Sequence, residues 1–208
     1  MTTLIKASRI AHLTDARYFA AKEVDYLGFN LEEGTEGYLD PIYMKAIREW
    51  VQGPKIVGEF SHTPIDVVRE AAVFFGLDTV QVSAQTYGMD LAKLEGLEVI
   101  LEINIDEQGL PFSKTELQDL APFTHIFLFN FSRAIVSKST FYAETEFWRS
   151  IFSLRPSMLQ ADLPASDWPE ILETLGLAGL CLVGGEEEQV GIKSYDQIEK
   201  IFESLGRE

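Results

Sequence analysis

The chain has 208 residues, enough for one sizeable core and within the range where α/β barrels remain a single domain, here residues 1–208. It is 46% hydrophobic and 24% charged, which excludes a disordered chain, and 33 acidic against 17 basic residues leave a net charge of −16, which argues against nucleic acid or an anionic membrane as partner. The single cysteine, Cys181, lies in the apolar run GLCLV and reads as a packed thiol in a reducing compartment; with no leader peptide and no membrane span in the sequence, a cytoplasmic monomer or homodimer is expected.

Short apolar runs recur along the chain, each followed by an amphipathic stretch. The predicted strands are Leu4–Ala7, Tyr26–Asn30, Lys55–Phe60, Thr79–Ser83, Glu98–Ile103, His125–Phe129, Ser157–Leu159 and Gly179–Val183. They are apolar almost throughout, as strands buried on both faces of a parallel sheet must be. Between them, Thr14 and Asp15 predict a cap for a helix over Ala16–Glu23, and Asp40-Pro41 opens one over Ile42–Gln52. Thr63-Pro64 opens Ile65–Phe75, which Gly76 ends. Further helices are predicted over Met89–Leu94, Lys114–Leu120, Glu144–Phe152, Asp167–Leu175 and Ser194–Leu205. This alternation predicts an α/β fold, a (β/α)8 TIM barrel. The rival is an open doubly wound sheet, but no G-x-G-x-x-G follows the first strand.

A barrel of this kind carries its chemistry at the C-terminal ends of its strands. Those ends read Ser8, Asn30, Glu59 to His62, Ser83, Asn104, Asn130, Asp162 and the Gly184-Gly185 loop, a polar mouth poor in proton-transfer groups. Lys6 precedes the end of its strand and fits either the mouth or the outer face. His62 reads first as a loop or capping residue. A metal set of Glu59, His62, Asp162 and one of Glu186 to Glu188 has no ligand spacing to support it, so neither metal nor cofactor is expected. Gln81 fills the barrel interior or, with Ser83 of VQVS, binds a ligand. Phe74-Phe75, Phe127, Phe129 and Phe131 read as packing residues, and Phe141, Tyr142, Phe147 and Trp148 as helix six packing on the barrel or covering the mouth.

Several stretches resemble the phosphoribosylanthranilate isomerase family. IKASRIAHLTDA, with LGF beyond it, is similar to that family's opening; VGEF, FGLDTVQVSA and GIKS resemble later segments. The resemblance implies a barrel of tryptophan biosynthesis that performs an Amadori rearrangement, taking a proton from C2 and opening the ribose ring by general acid catalysis. The family's base, a cysteine, falls on Ser8, and its acid, an aspartate, falls on Asn130. Neither replacement supplies proton chemistry near neutral pH. Each such group contributes about 10²–10⁴-fold, so their loss leaves a poor enzyme. The family's carboxylate-binding arginine falls on Gly37, and its glycines after strand seven on Ala161 and Asp162. Gly184 and Gly185 persist, but Glu186 to Glu188 follow them and would repel a phosphate by about 1 kcal/mol per nearby pair. Those glutamates read as a solvated loop or an acidic first helical turn, or as a site for a cation with Asp162. The sequence thus predicts a barrel with little isomerase activity that binds an unidentified small molecule or a protein partner. The alternatives are a working isomerase with a displaced base, His62 or Asp162, and a barrel repurposed for metal-assisted chemistry.

Overall fold

The computed structural model describes residues 3–87, 90–184, 186–189 and 192–207. Eight parallel strands close into a barrel in sequence order: β1 (Leu4–Ser8), β2 (Tyr26–Asn30), β3 (Lys55–Phe60), β4 (Thr79–Ser83), β5 (Glu98–Asp106), β6 (Ile126–Arg133), β7 (Ser157–Gln160) and β8 (Gly179–Val183). β8 returns to pair with β1, from Leu4↔Gly179 to Ser8↔Val183. The barrel expectation holds, and the open-sheet rival does not. A further pair, β9 (Glu186–Gln189) and β10 (Ile192–Ser194), forms an antiparallel ribbon after β8. The triple-glutamate segment is therefore neither loop nor first helical turn, because β10 supplies it with a pairing partner.

The helices are α1 (Leu13–Ala21), α2 (Pro41–Arg48), α3 (Ile65–Phe75), α4 (Ala84–Tyr87), α5 (Lys114–Leu120), α6 (Lys138–Ala143), α7 (Thr145–Phe152), α8 (Trp168–Leu175) and α9 (Asp196–Ser204). Asp40 caps α2 by accepting from the Ile42 and Tyr43 amides, with Pro41 at the first helical position. Gly76 ends α3 at φ +59, a left-handed conformation that glycine adopts without strain. Two local expectations change. Asp15 does not cap α1, which begins at Leu13; it lies buried in the first turn and accepts a 2.5 Å hydrogen bond from Tyr195 Oη, just ahead of α9. In place of a helix over Met89–Leu94 there is α4 and a 3₁₀ turn over Leu91–Leu94, with Met89 outside the described residues.

Because side chains alternate along a strand, each strand serves two cores. The outward set, with Val80, Val82, Phe127 and Phe129, packs under the helices. The inward set, with Val57, Ile100, Leu128, Met158 and Cys181, fills the barrel. Phe141 and Trp148 pack edge-to-face on Phe131 in the core, whereas Tyr142 is half-buried and Phe147 is exposed; none of the four lines the cavity at the mouth. Phe74 departs from the packing expectation: it is 81% exposed, and Phe75 alone of that pair is half-buried. No helix among the described residues is long and apolar enough to cross a membrane.

Candidate functional site at the barrel mouth

The inward positions turn polar toward the C-terminal ends of the strands. Lys6 and Ser8 on β1, Glu59 on β3, Gln81 on β4, Glu102 on β5, Asn130 on β6 and Gln160 on β7 share the barrel's inner face. Above them opens a cavity of about 220 Å³, whose rim includes Arg9, Glu32, Glu36 and His62.

Lys6 settles the question its strand left open. It is fully buried and points inward, with its ammonium donating to both Glu59 Oε1 and Ser8 Oγ. Burial alone lowers an ammonium pKa, but the Glu59 carboxylate outweighs it and leaves Lys6 above its ordinary 10.5. Lys6 is therefore a cation and cannot serve Ser8 as a base. Glu59 also accepts from the Arg9 amide at 3.1 Å, so both its oxygens are used. Gly28, on β2 next door, makes the pair possible: a Cβ there would lie 1.9 Å from Glu59 Oε1 and 2.7 Å from Lys6 Nζ. Ser8 Oγ is 3.1 Å from Cys181 Sγ, and burial pushes that thiol up to about 11 against the opposing pull of Lys6 and Ser8. Cys181 is thus a packed, protonated thiol, as its sequence context suggests.

Asn130 lies well inside β6, which continues to Arg133 because its parallel pairing with β5 resumes at Asp106↔Arg133 after an irregularity. Its amide is committed on both ends. Nδ2 donates to Glu102 Oε1 at 2.7 Å, and Oδ1 accepts from the Ser132 amide at 2.9 Å. Glu32 is equally occupied, accepting from the amides of Ser61 and His62 at 3.1 and 2.5 Å and from Thr63 Oγ1 at 3.0 Å. It therefore holds the β3–α3 loop in place. Several acceptors on the lining take no hydrogen bond from the described residues, Gln160 Oε1 and the exposed Glu36 carboxylate among them, and two more stand on β4 and β5. Gln81 is 6% exposed, and neither its buried Oε1 nor Glu102 Oε2 takes a hydrogen bond from the described residues.

The cavity thus brings together Ser8, Asn130, His62 and Gln81. Ser83 is buried beside it, donating to Gln85 Oε1 at 3.2 Å, and does not line it. Asp162 is exposed on the loop after β7, also away from the lining. Gly184 is likewise off the cavity; a Cβ on it would meet the Asp15 carboxylate at an ordinary 3.7 Å, so no side-chain clash demands glycine there, and the neighbouring charge is negative. Gly185 lies outside the described residues. Among the described residues no three His, Cys, Asp or Glu side chains are grouped to hold a metal, so Glu59, His62 and Asp162 do not form the centre considered from sequence. Glu59 and Glu102, both central to the site, are the residues whose roles the sequence did not disclose.

No protein-family model matches the sequence, and no curated protein matches it. Solved structures do. A phosphoribosylanthranilate isomerase from Thermus thermophilus superposes with a TM-score of 0.77 over 98% of both chains at 21% identity. The isomerase from Thermotoga maritima gives 0.71 over 98% of both at 16% identity, and that from Pyrococcus furiosus 0.69 over 98% of both at 14%. The chain therefore has the fold of the phosphoribosylanthranilate isomerases, a (β/α)8 barrel.

Proposed function

We propose that this protein is a divergent phosphoribosylanthranilate isomerase-like barrel that turns over phosphoribosylanthranilate slowly or not at all and binds a different, non-anionic small molecule at its mouth. The observation that carries this reading is the fate of the two family positions for proton transfer. Ser8 sits against a charged Lys6 and a protonated Cys181, with no free base beside it. Asn130 is an amide tied at both ends. The lining supports the change of ligand as well: beyond Glu59, which Lys6 neutralises, Glu32, Glu36 and Glu102 line the cavity, with Arg9 as the cation at its rim. An anthranilate carboxylate or a sugar phosphate would enter an unfavourable potential.

The test is a fluorescence assay of phosphoribosylanthranilate consumption by purified protein, against a heat-treated control. Turnover at background, at least about 10⁴-fold below a working isomerase, is the expected result. Turnover that Ser8→Ala or His62→Ala abolishes would overturn the proposal and make the protein an isomerase with an unusual base.

A further inference from the structure

We propose that the mouth recognises a small polyhydroxylated amine, its ammonium seated between Glu102 Oε2 and Gln81 Oε1; this rests on the non-anionic reading of the site given above. Both acceptors stand on inward-facing strand positions and take no hydrogen bond from the described residues. Glu59 is neutralised from beneath by Lys6 and capped by the Arg9 amide. Glu32 is saturated by the β3–α3 loop. Glu102 spends one oxygen on Asn130 and keeps the other. Gln81 pairs in register with Glu59 on one side, and Glu102 stands one pleat higher on the next strand, beside Ser83. A buried amide oxygen with no partner is costly and calls for a donor. An ammonium brings three donors and no acceptor, which suits a carboxylate oxygen and an amide oxygen together.

A divalent cation fits less well. It requires several oxygen ligands, and among the described residues no three His, Cys, Asp or Glu side chains are grouped to supply them. Ser61 and Gln160 on the lining offer hydrogen bonds to hydroxyl groups, while Asn30 and Thr35 bond each other and the backbone of Glu32 and Glu36. At about 220 Å³ the cavity lies below the ~300–1,000 Å³ of pockets for drug-sized ligands, which limits the occupant to about the size of a monosaccharide.

Three matched probes test this by calorimetry on the whole chain: glucamine (1-amino-1-deoxysorbitol), sorbitol and sorbitol 6-phosphate. Glucamine is expected to bind saturably, at least about tenfold tighter than sorbitol, and to weaken at high salt because the contact is ionic. Glu102→Gln, which keeps the shape, should erase that preference; if it fails to fold, Gln81→Met is used in its place and should also weaken glucamine. Equal binding of glucamine and sorbitol would overturn amine recognition while leaving the non-anionic reading intact. Preference for sorbitol 6-phosphate would overturn both. Binding of none of the three, or a response to magnesium alone, would overturn the inference whatever the isomerase assay gives.

Discussion

Replacing Glu59 by glutamine would leave the Lys6 ammonium buried with an amide where its counter-charge stood. Lys6 is 0% exposed, so water cannot take the carboxylate's place. Breaking a buried pair from one side costs about 3–5 kcal/mol, against a total stability of about 5–15 kcal/mol for a domain. The pH dependence should change sign as well. In the wild type the folded-state pKa of Lys6 lies above 10.5, so the pair's contribution is fully present below that pH and is lost as pH rises through the folded value. In Glu59→Gln, burial dominates and the folded pKa falls below 10.5, so stability should instead increase as pH rises toward that value. Urea unfolding from about pH 7 to about pH 11.5 covers the rise expected of Glu59→Gln and the start of the wild-type loss above 10.5. The double variant Lys6→Met/Glu59→Leu, with no charge left to bury, should recover to within about 2 kcal/mol of the wild type. A loss below about 1 kcal/mol in Glu59→Gln, with no reversal of the pH slope, would refute the buried ion pair as described.

Two further outcomes follow from the same region. Gly28→Ala should cost about 1–3 kcal/mol, because its Cβ would lie 1.9 Å from Glu59 Oε1; the cost should shrink in a Glu59→Val background, and equal costs in the two backgrounds would count against the close approach. Cys181, with its pKa near 11 and only 3% exposure, should resist a thiol reagent at about pH 8 in the folded protein and react once urea unfolds it; rapid labelling of the native chain would contradict its burial.

The barrel itself was legible because its strands are buried on both faces and so read as short, nearly unbroken apolar runs. β2, β3, β4 and β8 begin and end where those runs do. Helix starts were legible where the cap is local, as at Asp40-Pro41, and misleading where a tertiary bond competes, as at Asp15, whose carboxylate is taken by Tyr195 from 180 residues away. Of the candidate site, the placement of Ser8, Asn130, His62 and Gln81 at the mouth was legible, and all four line its cavity. The Lys6–Glu59 pair was not, since period-2 alternation leaves either face open to Lys6 and its partner lies 53 residues on, in a different strand. β5 and β6 outran prediction because their polar ends at Asn104 and Asn130 look like terminations, yet the two strands pair further. Phe74 misled for the opposite reason. An apolar residue beside a core position reads as core, but on α3 its turn of the helix faces solvent.

Gly28, Lys6 and Glu59 come from three strands and occupy one small volume, so substitutions there can accumulate only in a restricted order. Glu59 cannot be lost first without stranding a buried cation, and Gly28 cannot gain a side chain while the carboxylate stands against it. Departure of Lys6 first would strand Glu59 in turn. Any lineage that abandons this arrangement must therefore cross a destabilised intermediate or change two positions together. A library covering all pairs among the three positions would read out that ruggedness, with single changes depleted and particular doubles restored.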